Sequence, residues 1–177
     1  MKLRDLLLAS LILLGLALLT HLLNRQETAE GPARAVDGDS LALGDLRVRL
    51  AGIDAPELAQ TCGSPQASWP CGRAAQAHLA DLVRGRAVAC AGEGHDAYAR
   101  LIATCTVSRT ISPPVRTRAE ASDSPRDLGG ALVEAGLAVA RDRGAYGAQE
   151  AQARQAGRGI WSGPFDPPET WRADHPR

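Results

Sequence analysis

Residues 49–57 read RLAGIDAPE, and in them an apolar strand runs from an arginine into two acidic side chains. Apolar residues continue the strand as far as Ile53, and Pro56 ends it because proline cannot donate a backbone hydrogen bond to a sheet. One interpretation is a capped turn, in which Asp54 begins the turn and Glu57 closes a capping box. The other is a functional site, in which the arginine and the acids act together.

A β-hairpin is predicted immediately before this stretch. Apolar side chains alternate with other residues on both sides of the turn Gly44-Asp45, which is a hairpin signal. The alternating apolar residues are Leu41, Leu43, Leu46, Val48 and Leu50. The second strand therefore carries Arg49 on the face opposite its apolar residues.

The pattern beyond Pro56 changes to helical, then extended, then helical. Apolar residues at helical spacing predict a helix over 72–84 that ends at Gly85. The other predicted elements are strands over 86–91 and 101–107 and helices over 127–135 and about 146–157. This order predicts a mixed α+β domain on a small antiparallel sheet. The segment 108–126, rich in Ser, Pro, Arg and Thr, is predicted to be a flexible insertion.

The N-terminal segment predicts a hydrophobic helix. Residues 6–23 carry no acidic or formally charged basic side chain, and as a helix they would span about 27 Å, close to a hydrocarbon core. Lys2 and Arg4 precede the run, which favours a cytoplasmic N-terminus and an exported remainder. No cleavage site follows at a suitable distance, so an uncleaved membrane anchor is favoured over a cleaved signal peptide. In either case the domain lies outside the cytoplasm, in the periplasm or the extracellular space.

Four cysteines agree with an oxidising compartment, and no Cys-x-x-Cys spacing suggests zinc. Three pairings are formally possible. Cys90 and Cys105 lie on successive predicted strands that can pair antiparallel, which leaves Cys62 and Cys71 to close the preceding loop. We therefore predict the disulfides Cys62–Cys71 and Cys90–Cys105.

Length and charge limit the organisation of the chain. Its 177 residues have a formal net charge of +0, so no general basic field indicates a nucleic-acid partner. The predicted units are an anchor helix at 1–24, a linker at 25–33, one domain at 34–165 and a tail at 166–177.

Three short segments place charged groups where loops meet strands. They are VDGDS at 36–40, RLAGIDAPE at 49–57 and HDAYAR at 95–100. Each alone has an ordinary structural explanation, since Asp-Gly forms turns and exposed ion pairs contribute little. Together they hold what phosphodiester cleavage needs. These groups are oxygen ligands for a hard cation (Asp39, Asp54), a base for the attacking water (Glu57) and cations for the phosphate (Arg49, Arg100).

These segments, followed by LVEAGLA and GRGIW, resemble the staphylococcal-nuclease-like (thermonuclease) family from about residue 34 to 163. The resemblance implies an OB-fold, a five-stranded antiparallel β-barrel with three α-helices, here preceded by one hydrophobic helix. It also implies an endonuclease that uses Ca²⁺ to cleave DNA, RNA or both. We expect a monomer that contacts the membrane through its N-terminal helix.

The resemblance further implies a role for each matching residue. The calcium ligands are Asp39, Asp54 and the backbone carbonyl of Ala55. The catalytic groups are Glu57, which activates water, and Arg49 and Arg100, which contact the phosphate. The substrate contact is Tyr98, which hydrogen-bonds a terminal phosphate.

Two other classes of function stay open. One is a catalytically inactive, membrane-tethered OB-fold module that binds nucleic acid or a protein partner. The other is a disulfide-stapled structural or assembly factor, which would show no response to metal. The enzyme is favoured, because an inactive copy would usually have lost some of the five charged residues.

Overall fold

The computed structural model describes residues 4, 10–16, 26–108, 125–141 and 143–176. Residues 10–16 are helical, but most of the predicted hydrophobic helix lies outside the described residues, as does most of the predicted insertion at 108–126. Within the described ranges, no helix is both long and apolar enough to cross a membrane. The membrane anchor therefore stays a prediction.

From residue 26 onward, the described chain forms short strands and helices. The strands are β1 (Glu27–Pro32), β2 (Arg34–Ala35), β3 (Ser40–Leu43), β4 (Leu46–Leu50), β5 (Ile53–Asp54), β6 (Ala87–His95), β7 (Leu101–Val107), β8 (Arg126–Asp127) and β9 (Val139–Ala140). The helices are α1 (Cys71–Val83), α2 (Leu128–Glu134), α3 (Arg143–Gln155), a 3₁₀ turn (Gly159–Ser162) and α4 (Pro168–Asp174). The predicted α+β class is confirmed.

One mixed sheet carries most of the strands. Its order is β1-β6-β7-β4-β3-β2, with β8 beside β7, while β5 and β9 form a separate pair. β4 and β7 run parallel, and the other pairs are antiparallel. Only Ala33 separates β1 from β2, which lie at opposite edges of the sheet. One short stretch of chain therefore pairs with β6 at one edge and with β3 at the other.

The sheet differs from the predicted five-stranded barrel with three helices. In the described residues the sheet has seven strands, because Ala33 separates β1 from β2 and β8 is added beside β7. A register shift between Gly92 and His95 interrupts the pairing of β6 with β7. The additional α-helix in the described residues is α4, which lies in the segment predicted to be a tail.

The predicted linker at 25–33 is wrong for most of its length. Residues Glu27–Pro32 form β1 and pair with β6, from Glu27 opposite Gly92 to Pro32 opposite Ala87. Most side chains of β1 are exposed, so it shows no strong apolar pattern. The strand forms because its backbone groups are paired by a distant strand.

Helix α1 packs on the sheet and agrees with the predicted helix at 72–84. Its buried residues are Cys71, Gly72, Ala75, Leu79, Leu82 and Val83. The predicted helices at 127–135 and 146–157 correspond to α2 and α3, and the Asp127 side chain caps α2 by accepting from the backbone N–H of Gly130.

Both predicted disulfides are present. Cys62–Cys71 ties the loop before α1 to the first residue of that helix. Cys90–Cys105 joins residues that face each other on β6 and β7. Two disulfides and no free cysteine indicate an oxidising compartment.

Candidate active site

Two buried aspartates meet on Arg49. Ser40 of β3 pairs with Arg49 of β4, which brings the preceding residue, Asp39, beside the arginine. Arg49 Nη1 lies 3.1 Å from Asp39 Oδ1, and Arg49 Nη2 lies 2.9 Å from Asp54 Oδ1. The aspartates are only 5 % and 2 % exposed. Because buried carboxylates require a charge partner, Arg49 holds both acids in one cluster.

The turn after β4 is shaped by long-range contacts. Asp54 lies in β5 and pairs with β9, and the backbone N–H of Ala55 donates to Asp39 Oδ2 at 3.2 Å. A capping box would direct the N–H of Glu57 to Asp54, but that N–H donates to the side chain of Gln60 instead. The capped-turn interpretation is therefore wrong.

Two glycines allow the site segments to approach each other closely. A Cβ at Gly38 would lie 2.7 Å from the Cβ of Ala55 and 2.8 Å from the Cβ of Ala75. A Cβ at Gly72, in the first turn of α1, would overlap the carbonyl oxygen of Glu57. Any larger side chain at either position would move the site segments apart.

A buried glutamine fixes the segment that carries Glu57. Gln60 is fully buried, and its Oε1 accepts from the N–H of Glu57 at 3.1 Å. Its Nε2 donates to the carbonyl of Asp166 at 2.7 Å. Nearby, the N–H of Gly63 donates to the carbonyl of Pro164 at 2.8 Å. The loop that carries Glu57 is thus bound to residues 164–166. The sequence carried no signal for this role of Gln60.

Helix α4 places a second arginine on the acids. Arg172 Nη1 lies 3.1 Å from Asp54 Oδ1, and Arg172 Nη2 lies 2.8 Å from Asp54 Oδ2. The same Nη1 lies 3.1 Å from Glu57 Oε1. Hydrogen bonding to Asp54, followed by its charge and by Glu57, raises the pKa of Arg172 despite burial.

Sequence reasoning missed Arg172, because it treated residues 166–177 as a tail without a readable function. The local signal was Pro167-Pro168, since proline favours the first positions of a helix. Nothing local indicated what that helix would contact.

Arg100 reaches the same cluster through Ser40. Arg100 Nη1 donates to Ser40 Oγ at 3.0 Å, and that hydroxyl donates to Asp39 Oδ1 at 3.1 Å. Arg100 Nε donates to Asp96 Oδ2 at 2.7 Å. Burial alone would raise the pKa of Asp96, but hydrogen bonds from Arg100 and the backbone outweigh it and hold that pKa below its ordinary value. Tyr98 is 79 % exposed, with its ring centroid 5.5 Å from the Arg100 guanidinium carbon.

The structure therefore places the predicted residues in one region. Arg49 contacts both Asp39 and Asp54, and Arg172 connects Asp54 to Glu57. Ala55 lies among them through its backbone N–H. Arg100 is linked to Asp39 through the hydroxyl of Ser40, and Tyr98 lies beside Arg100 at the surface.

Burial raises the pKa of Asp39 to about 6. Arg49 opposes this shift, while the negative charges of Asp37 and Asp54 add to it. Asp39 is therefore a carboxylate that one arginine does not fully compensate, and a further cation near it would be favourable.

The donor chemistry of the cluster fits calcium. Asp39 and Asp54 offer carboxylate oxygens and Ala55 a carbonyl oxygen, which are the hard ligands that calcium prefers. In the part of the chain that the structure describes, no group of three or more His, Cys, Asp or Glu side chains could hold a metal ion. The remaining ligands would therefore be backbone oxygens and water.

Comparison with known proteins gives this cluster a family context. The sequence model of the staphylococcal nuclease homologue family matches residues 47–163, which include Arg49, Asp54, Glu57 and Arg100. The chain belongs to the staphylococcal nuclease homologue family. The family resemblance predicted from the motifs is confirmed.

Several proteins with functional names are similar in sequence to this nuclease homologue. The chain is 33% identical over 153 residues to the succinoglycan biosynthesis protein ExoI of Rhizobium meliloti (strain 1021). This alignment covers 84% of the chain and 72% of ExoI. The chain is 32% identical over 130 residues to the probable endonuclease lcl3 of Aspergillus flavus, covering 67% of the chain and 44% of that protein. The probable endonuclease lcl3 of Emericella nidulans is 35% identical over 130 residues, with 67% and 43% covered. The chain spans less than half the length of these fungal relatives.

Proposed function

We propose that this staphylococcal nuclease homologue is a calcium-dependent endonuclease that hydrolyses phosphodiester bonds in DNA, RNA or both. The observation that carries the proposal is the convergence of Asp39, Arg49, Asp54 and Glu57 in one largely buried cluster. Family membership and the endonuclease names of the fungal relatives support it.

Glu57 is the proposed base. Its carboxylate lies next to the buried acids, yet its side chain is 22 % exposed, so a water molecule can reach it. Gln60 binds the backbone N–H of Glu57, and Gly72 lets α1 approach the backbone carbonyl of Glu57 closely, so the backbone that carries the carboxylate is held in place. Proton removal by a positioned carboxylate typically contributes about 10²- to 10⁴-fold to a rate.

Arg49 and Arg100 are the proposed phosphate-binding cations. Each guanidinium is oriented by carboxylates, Arg49 by the two buried aspartates and Arg100 by Asp96. A guanidinium presents several donors in one plane, so part of it can bind phosphate oxygens while the rest keeps its partner. Attack by water on the phosphorus would leave a 3′-phosphate and a 5′-hydroxyl.

Asp39, Asp54 and the carbonyl of Ala55 are the proposed calcium ligands. Bound calcium would supply positive charge to a phosphate oxygen. The contribution of the chain is to keep two carboxylates side by side in a buried site, which Arg49 makes possible by compensating their charge.

Three further predictions belong to this proposal. The N-terminal hydrophobic helix anchors the chain to the membrane, with the domain in an extracytoplasmic compartment, unless a peptidase releases it. The interrupted sheet is a distorted form of the five-stranded barrel of the family. Tyr98 contacts a terminal phosphate of the bound substrate.

The proposal is tested by incubating the full chain, produced under oxidising conditions, with single-stranded DNA in calcium or in chelator. Glu57→Gln and Arg100→Ala are each compared with a matched control. The controls are Glu134→Gln and Arg84→Ala, which alter exposed side chains on α2 and beyond the end of α1. We expect calcium-dependent cleavage that the site variants reduce about 100-fold or more and the controls leave unchanged.

The other outcomes are equally informative. Absence of cleavage by folded protein in excess calcium would favour the alternative function, an inactive module that binds nucleic acid or a protein partner. Cleavage that Glu57→Gln leaves unchanged would show that another group is the base.

A further inference from the structure

We propose that the guanidinium of Arg172 and calcium compete for Asp54. In the absence of metal, Arg172 pairs with the carboxylates of Asp54 and Glu57, and calcium binds Asp54 only when Arg172 withdraws. This proposal rests on the proposed calcium site. It makes α4 an autoinhibitory element of this chain.

In its present position, Arg172 covers both oxygens of the Asp54 carboxylate. Its two terminal nitrogens face both oxygens of Asp54, at 3.1 Å and 2.8 Å. Arg49 Nη2 also lies 2.9 Å from Oδ1 of that carboxylate. A divalent cation on either oxygen would meet the positive charge of Arg172 within a few ångströms, in a site where only 4 % of the Asp54 side chain is exposed and solvent screening is weak. Arg172 must therefore withdraw when the metal binds.

Arg172 also contacts the proposed base. Its Nη1 lies 3.1 Å from Glu57 Oε1, so one guanidinium bridges a metal ligand and the carboxylate that activates water. While this contact is kept, Oε1 of Glu57 is engaged by Arg172 and not by the attacking water. Withdrawal of Arg172 would therefore open Asp54 to the metal and Oε1 of Glu57 to the attacking water in one movement.

Helix α4 is built so that it can leave. Among its described residues only Pro168 is buried, and the rest are exposed or half-buried. By contrast, the segment that leads into it is fixed, because Gln60 binds the carbonyl of Asp166 and Gly63 binds the carbonyl of Pro164. The chain up to residue 166 is therefore fixed, and the ion pairs of Arg172 connect the mostly exposed helix α4 to the acids.

The experiment is a calcium titration of the full chain by isothermal calorimetry. Arg172→Gln removes the charge, and a chain that ends after Pro167 removes α4 while keeping the hydrogen bonds to Pro164 and Asp166. Arg84→Gln is the matched control, because Arg84 also pairs with an aspartate, Asp81, but on the exposed surface of the α1 region. We expect the calcium dissociation constant to fall about 10-fold in Arg172→Gln and in the truncated chain, and to stay unchanged in Arg84→Gln.

The remaining outcomes separate this proposal from the proposed function. Equal or weaker calcium binding by the Arg172→Gln and truncated chains would overturn the exclusion while leaving the calcium site intact. Absence of calcium binding by every variant would overturn both the exclusion and the calcium dependence of the proposed function. If Arg172→Gln does not fold, the affinity of the truncated chain decides.

Discussion

The side-chain Oε1 of Gln60 accepts a hydrogen bond from the backbone N–H of Glu57 at 3.1 Å. The other end of the same amide donates to the carbonyl of Asp166 at 2.7 Å. One fully buried side chain thus joins the proposed catalytic base to the segment that precedes α4. Its polar atoms cannot turn to water, so both hydrogen bonds must be kept in the folded state.

Replacing Gln60 with alanine should reduce both stability and cleavage. The backbone N–H of Glu57 and the carbonyl of Asp166 each lose a hydrogen bond to a buried side chain. At about 0.5–1.5 kcal/mol per bond, the free energy of unfolding should fall by about 1–3 kcal/mol. The segment of Glu57 also loses its support, and misplacement of the base should lower the cleavage rate by up to about 100-fold. Urea unfolding and single-turnover cleavage measure the two effects. Gln152→Ala, on the exposed surface of α3, is the control. A loss of stability with an unchanged rate would mean that Gln60 does not position the base.

Replacing Gly38 with alanine should separate the site segments. The new Cβ would lie 2.7 Å from Ala55 Cβ and 2.8 Å from Ala75 Cβ, so backbone must shift. Overpacking of this kind costs about 1–3 kcal/mol, and the shift should weaken calcium binding because Ala55 is a proposed ligand. Thermal unfolding without calcium measures the loss of stability, and the rise in unfolding temperature on adding calcium measures the loss of calcium binding. At Gly163, φ is −168° and a Cβ would meet its nearest neighbour at 3.7 Å, so Gly163→Ala should behave like the natural protein. Equal effects of the two substitutions would contradict the prediction.

The two disulfides should contribute similarly to stability but differently to activity. Their half-cystines are 9 and 15 residues apart, so each closes a short loop and should stabilise the fold by about 3 kcal/mol. The Cys62–Cys71 loop follows Gln60, whereas Cys90–Cys105 lies within β6 and β7. Replacing the first pair with serines should therefore lower the cleavage rate at 25 °C, while replacing the second should mainly lower the unfolding temperature. A comparable loss of rate in both variants would refute this division of roles.

The raised pKa of Asp39 predicts a stability change between about pH 4 and pH 6 in metal-free protein. The carboxyl has an ordinary pKa of 3.8 and a folded-state pKa of about 6, so the folded state binds this proton more tightly than the unfolded state. The contribution of Asp39 is therefore favourable below pH 4 and is lost as pH rises through 6. Urea unfolding of the natural protein and of Asp39→Asn across this range measures it. The free-energy difference between them should shift against the natural protein as pH increases, and a constant difference would show that burial does not shift this pKa.

Local patterns in the sequence determined the elements with strong periodicity and the order of the site motifs. The strand at 101–107 and the helix near 72–84 each carry apolar residues at their own period, so their type follows from a few neighbouring residues. The disulfide pairing followed from two adjacent strands in the same way. The charged motifs were recognisable because each lies at a strand end, and the clustering of Asp39, Arg49 and Asp54 then depends on the pairing of β3 with β4 and on the β5 turn that follows.

Strand β1 and the ion pair between Arg172 and Asp54 could be seen only in the tertiary structure. Strand β1 shows no strong apolar pattern, and it exists because β6 pairs its backbone. Arg172 and Asp54 are 118 residues apart, and their ion pair depends on a buried glutamine that fixes the chain before α4. A local pattern predicts whether a segment forms a helix or a strand and which of its faces is apolar. Ion pairs between distant segments form only when the folded core brings those segments together.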